Sequence, residues 1–167
     1  MKTDDSRTIA RAAIITGALR GIGAAVAERL AKDGLSVVVN YAGSQAEASA
    51  LVNKITSAGG RAITAKADVS KADEVSRMFE VAEKEFGGVD VLVNNAGIML
   101  LSSIGSTDDT AFDRQIAVNL KGTFNGLREA AKRLRKDGRI INFSTSVVGL
   151  KLEPVAFTPR RKQLSRH

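Results

Sequence analysis

The chain has 167 residues, 44% hydrophobic and 26% charged, which suits one globular domain with a sizeable core. It contains no cysteine and one histidine, the terminal His167, so disulfides, thiolate chemistry, a metal site and a Ser-His-Asp triad all fall away. The net charge of +7 is concentrated at one end, where residues 151–167 hold five basic residues and one acid, and no alternation of aromatic and basic residues supports a nucleic-acid surface.

No apolar run approaches the roughly 18 to 20 residues needed to span a bilayer. Met1 to Arg7 is polar, carries both signs of charge and has no signal-peptide core behind it. A cytoplasmic enzyme, with no membrane and no nucleic-acid partner, is the expectation.

Residues 1–10 read as a polar lead-in. Ala12 to Thr16 is a short apolar run of strand length, followed by Gly17, Gly21 and Gly23 and then by helical periodicity from Ile22 to Leu30. A buried strand that turns through glycines into a helix start is a phosphate site. Backbone N–H groups and the positive end of the helix dipole face the anion, and glycine permits its close approach. Leu35 to Tyr41 is a second strand, with Ser44 as the N-cap of a helix to about Ser57. A third strand lies within Arg61 to Val69. Ser70 opens a helix to about Phe86, with Val75, Met78, Phe79, Ala82 and Phe86 on one face.

Val89 to Val93 is a fourth strand, and Thr107-Asp108-Asp109 caps a helix from about Ala111. The spacing then predicts a helix from Gly122 to Lys136, stopped by Gly138. Its basic end (Lys132, Arg133, Arg135, Lys136) reads as a solvated face favoured by the helix dipole. Arg139 to Ser144 is the fifth strand. The alternation βαβαβαβαβ predicts an α/β, doubly wound, Rossmann-like parallel sheet with helices on both faces and strand order 3-2-1-4-5.

Further stretches narrow this fold to one family: Ala67-Asp68-Val69, Asn94-Asn95-Ala96-Gly97, Asn119, and Ile141-Asn142-Phe143-Ser144-Thr145-Ser146. With Thr16-Gly17-x-x-x-Gly21-x-Gly23 they resemble the classical short-chain dehydrogenases/reductases, most closely the NADP-using members similar to 3-oxoacyl-acyl-carrier-protein reductase, over about residues 8–150. The resemblance implies an oxidoreductase that moves hydride between NADP(H) and a small carbonyl or alcohol substrate, usually as a homotetramer.

It also implies roles for individual residues. Gly17, Arg20, Gly21, Ile22 and Gly23 form the pyrophosphate turn. Asp68 accepts from the adenine amino group with Val69 beside it, although a capping turn is its competing role. Asn95-Ala96-Gly97 passes under the nicotinamide ribose, and Asn94 braces the central strands. Asn119 kinks its helix and anchors a water of the proton relay. Ser146 hydrogen-bonds the substrate carbonyl, with Ser144 as its competitor.

Cofactor choice follows from charge. An acid at the end of the second strand would hold a ribose 2′-OH and repel a 2′-phosphate. That end is Asn40-Tyr41, with Ser44 within reach, and Arg20 can pair with a phosphate at two points. NADP(H) is favoured over NAD(H).

The pattern then breaks. The family's chemistry needs a tyrosine about twelve or thirteen residues beyond the serine and a lysine four further on. Those positions hold Pro159 and Gln163, and Tyr41 is the chain's one tyrosine. Written in one choice of degenerate codons and shifted by two bases, Val155 to His167 reads Arg-Val-Tyr-Ala-Ala-Thr-Lys-Ala-Ala-Val-Glu-Ala, which contains the missing Tyr-x-x-x-Lys. A frameshift near Glu153-Pro154 accounts for the basic tail. The expectation is a nucleotide-binding domain over 1–153 that lacks the family's last two strands, and a disordered non-family tail over 154–167. Such a chain is an inactive oxidoreductase by descent, or else a non-catalytic module that binds NADP(H) or a partner.

Overall fold

The computed structural model describes residues 10–100 and 102–144. Ser146 and the expected boundary at 153–154 lie outside the described residues. The elements alternate: β1 (Ala12–Ile15), α1 (Gly21–Lys32), β2 (Ser36–Tyr41), α2 (Gln45–Ser57), β3 (Arg61–Lys66), α3 (Ala72–Phe86) and β4 (Val89–Asn94). A 3-10 turn at Ile104–Ser106 leads to α4 (Asp109–Gln115), a π-helical turn (Ile116–Lys121), α5 (Gly122–Arg133) and β5 (Leu134–Asn142). All strand pairs are parallel and the order is β3-β2-β1-β4-β5, as the alternation predicts. Among the described residues no helix is long and apolar enough to cross a membrane.

The central strands are apolar on both faces because both faces are covered. Ala12, Ile14, Val38 and Leu92 point to one side, where Met78, Phe79 and Ala82 of α3 and Ala130 of α5 meet them. Their neighbours Ala13, Ile15, Val37, Val39, Val91 and Val93 point to the other side, against α1 and α2 through Ala27, Ala31, Leu51 and Ile55. The period of two along each strand thus sorts the side chains into two cores.

The caps follow local chemistry. Ser44 Oγ accepts from the Glu47 N–H at 3.3 Å, and Asp108 Oδ1 accepts from the Ala111 N–H at 2.7 Å. Gly87 closes α3 in the left-handed conformation, φ 76°.

Two expectations need correction near the last strand. The helix ends at Arg133 rather than Lys136, because Leu134 is already extended and pairs with Val89. Between the pairs Val89–Leu134 and Val91–Arg139 the chain bulges, with Asp137 at φ 65°. Nor is the basic run a uniformly solvated face. Arg133 reaches Glu83 and Glu129, each at 3.2 Å, and Arg135 donates to Asp90 Oδ2 at 3.1 Å. Asp90 Oδ2 also accepts from the Ala12 N–H at 2.7 Å, so one carboxylate clasps the starts of β1, β4 and β5. β5 is an edge strand among the described residues, and Ile140 and Ile141 along it and Phe143 just after it are 40%, 46% and 45% exposed.

Candidate dinucleotide site

The strand order reverses between β1 and β4, with α1 and α2 on one face of the sheet and α3 and α5 on the other. Beyond the carboxyl ends of these strands lies an open cleft of about 380 Å³. The turn from β1 to α1 forms its floor. Gly17 adopts φ +62°, and a Cβ there would sit 2.8 Å from Ala96 Cα. A Cβ on Gly23 would sit 2.7 Å from the Gly17 carbonyl oxygen. Both positions therefore require glycine. Gly21 also has positive φ, +56°, with open space around it.

α1 begins without a side-chain cap: Arg20 is the N-cap residue and makes no cap hydrogen bond. The first N–H groups of the helix are left for a ligand or water, and Arg20 makes no ion pair among the described residues. Gly17, Arg20 and Ile22 all line the cleft.

Thr16, Asn95 and Asn40 hold this turn. Thr16 Oγ1 accepts from the N–H groups of Asn95 and Ala96, both at 3.0 Å, and donates to the Val93 carbonyl at 3.3 Å. Asn95 Nδ2 donates to the carbonyls of Thr16 and Gly17 at 2.9 and 3.0 Å. Asn95, Ala96 and Gly97 line the cleft.

Asn40 also lines it, but its side chain is spent on backbone. Oδ1 accepts from the Gly17 N–H at 3.0 Å, and Nδ2 donates to the Ala65 and Ala67 carbonyls at 3.2 and 3.0 Å. Both side-chain hydrogens are used, so at the end of β2 Asn40 lines the cleft as a brace of the glycine turn. Asn40→Ala would strip partners from three backbone groups, the Ala65 and Ala67 carbonyls among them buried, and is expected to cost about 2–4 kcal/mol. Urea unfolding measures this, and a loss below about 0.5 kcal/mol would show that the brace carries no stability.

The opposite wall comes from the loop between β3 and α3. Asp68 Oδ1 accepts from the Ser70 N–H at 3.0 Å and from its hydroxyl at 2.7 Å, and Oδ2 faces Arg114 Nη1 at 3.2 Å. Burial pulls this carboxyl up, but the two Ser70 bonds and the Arg114 guanidinium outweigh it and hold the group below its ordinary value. Asp68 is therefore ionised at neutral pH. Its capping-turn role and its place in the cleft wall coexist. Asp68 and Val69 line the cleft, as do Arg114 and Val118, which the sequence did not single out.

Asn119 lies in the π-helical turn that interrupts the helix, a feature frequent at functional sites. Its amide pairs with the backbone of Ile98 in both directions, each bond 2.8 Å, and so clamps the segment after β4. The Asn119 carbonyl accepts from Thr123 Oγ1 at 2.9 Å. Asn94 Nδ2 donates to Asn142 Oδ1 at 2.9 Å, which ties β4 to the edge strand β5 of the described residues. Ser44 caps α2 and lies outside the cleft lining. Among the described residues no group of three or more His, Cys, Asp and Glu is placed to hold a metal.

Comparison with known proteins decides the family. The family model described as short chain dehydrogenase matches residues 11–157. The chain belongs to the short-chain dehydrogenase family. An uncharacterized oxidoreductase of Methylorubrum extorquens is 45% identical over 142 residues, 85% of this chain and 57% of that protein. A 3-oxoacyl-[acyl-carrier-protein] reductase of Staphylococcus epidermidis is 42% identical over 141 residues, 83% of this chain and 57% of the relative.

Among solved structures, a short chain dehydrogenase from Burkholderia cenocepacia in complex with NADP superposes with TM-score 0.81 at 34% identity. It covers 89% of this chain and 60% of its own. The chain thus spans less than two thirds of the length of the short-chain dehydrogenases it matches. Two of these are named as an oxidoreductase and a reductase, and the third is a dehydrogenase seen with NADP.

Proposed function

We propose that the cleft binds NADP(H) in preference to NAD(H), and that the chain descends from oxidoreductases acting on small carbonyl or alcohol substrates in the cytoplasm. The observation that carries this reading is the uncapped start of α1 behind the glycine turn, with Arg20 beside it, which makes no ion pair among the described residues. Gly17, Gly21, Ile22 and Gly23 would hold the pyrophosphate. Asp68 and Val69 would receive the adenine, and Asn95, Ala96 and Gly97 the nicotinamide ribose. When bound, the nicotinamide supplies or accepts a hydride. Ser146 would orient the substrate carbonyl, and Asn119 would hold the segment after β4 in place for it.

The end of β2 supports the cofactor preference, since Asn40, Tyr41 and Ala42 put no acid where a 2′-phosphate would sit. NADPH is therefore expected to bind about tenfold more tightly than NADH, and Arg20→Ala to remove most of that difference. Fluorescence titration of both nucleotides tests this. Equal affinities in the unmodified chain would refute the preference.

A second reading is favoured by Pro159 and Gln163, which stand where the family's tyrosine and lysine belong. In that reading the 167-residue chain is a module that binds the dinucleotide, or a partner, without chemistry. The two readings share the cleft and differ in turnover.

A further inference from the structure

Three charged side chains line the cleft: Arg20, Asp68 and Arg114. The glycine turn accounts for the first, and the loop after β3 for the second. Arg114 comes from α4, 46 residues from its partner Asp68.

Both oxygens of Asp68 are engaged. Ser70 satisfies Oδ1 twice, and Oδ2 faces Arg114 Nη1 at 3.2 Å, which also lies 3.5 Å from Ser70 Oγ. The Arg114 side chain is 49% exposed, so the pair sits at the mouth of the cleft, where an ion pair contributes little to stability.

Nor is it needed to seat the helix. Asn125 Nδ2 donates to the Val69 carbonyl at 2.8 Å, Asn119 pairs twice with Ile98, and Gln115 Oε1 accepts from the Leu100 N–H at 3.3 Å. Those bonds already fix the helical run to the loops after β3 and β4.

A ligand supplies the missing reason. A pyrophosphate-bearing nucleotide is strongly anionic, and an ionised Asp68 in the wall of its cleft would repel it. The guanidinium cancels that charge. It also keeps Nε and Nη2 free of hydrogen bonds among the described residues, together with a flat face that suits a purine. Resting on the dinucleotide reading above, we propose that Arg114 is a cofactor-site residue that neutralises Asp68 and forms the adenine end of the cleft.

The test is calorimetric titration of the full 167-residue chain and its Arg114→Met variant with three ligands: NADPH, its adenine half 2′-phospho-ADP-ribose, and reduced nicotinamide mononucleotide. Arg114→Met is expected to weaken NADPH and the adenine half about tenfold, to leave the nicotinamide half within about twofold, and to leave the melting temperature within about 2 °C. Adding Asp68→Asn to Arg114→Met is expected to regain about threefold, because the uncompensated carboxylate is gone. Equal losses on both halves, no loss, a large drop in melting temperature, or no regain in the double variant would each overturn the assignment. Failure of the unmodified chain to bind NADPH would overturn the dinucleotide reading itself, and this proposal with it.

Discussion

The 167-residue chain is expected to oxidise no NADPH with any carbonyl compound, by absorbance at saturating cofactor. Hydride delivery to a carbonyl leaves charge on oxygen, and a positioned acid must supply a proton there. The candidates in this chain do not qualify. The Asn119 amide is committed in both directions to Ile98. Tyr41 is 5% exposed and packed in the core between the sheet and the α1–α2 layer, away from the cleft. A serine such as Ser146 does not ionise near neutral pH, and Pro159 and Gln163 carry no proton-transfer group. General acid catalysis is commonly worth about 10²–10⁴ in rate, and loss of the lysine that would hold the ribose adds to it. Restoring the alternate reading frame, with its Tyr-Ala-Ala-Thr-Lys segment and the residues that follow, is expected to recover turnover that Ser146→Ala then removes. Robust turnover by the 167-residue chain would mean that a different group acts as the acid.

Gly17→Val is expected to abolish NADPH binding and to destabilise the fold by about 2–5 kcal/mol. Two costs combine. A side chain at φ +62° carries the left-handed penalty of about 1–2 kcal/mol, and overpacking against neighbours costs about 1–3 kcal/mol more. Relief is not available, because the atom met at 2.8 Å is the backbone Cα of Ala96, which Thr16 holds by its N–H. Such a loss is a large part of the roughly 5–15 kcal/mol typical of a domain. Gly43→Ala is the control: its Cβ meets nothing within 4 Å and its φ is not positive, so the change should stay within about 0.5 kcal/mol. Urea unfolding with parallel NADPH fluorescence reads both effects. A Gly17→Val chain that still binds NADPH would show that the cofactor does not approach this turn.

Strands, helices and the glycine turn were legible because their signals are local. The periodicity of Val75, Met78, Phe79, Ala82 and Phe86, the Ser44 cap and the three glycines each depend on residues within a turn or two. The bracing role of Asn40 was not legible, because its partners lie 23 to 27 residues away on other elements. Its placement at the end of β2 was right, but its side chain faces the protein. Arg114 escaped notice for the same reason, since its meeting with Asp68 has no trace in the sequence around either residue. The early end of α5 is likewise tertiary. Nothing in Leu134-Arg135-Lys136 breaks a helix, but Asp90 draws Arg135 into the base of the sheet.

That clasp has a kinetic meaning. Asp90 joins Ala12 across 78 residues and Arg135 across 45, so neither bond can form until three separate segments have been brought together. Closing such loops costs entropy before the contacts reward it, so pairings of this kind slow the making of the sheet. Once made, the clasp joins distant segments, and the stability it adds divides between faster folding and slower unfolding according to how much of it is present at the barrier.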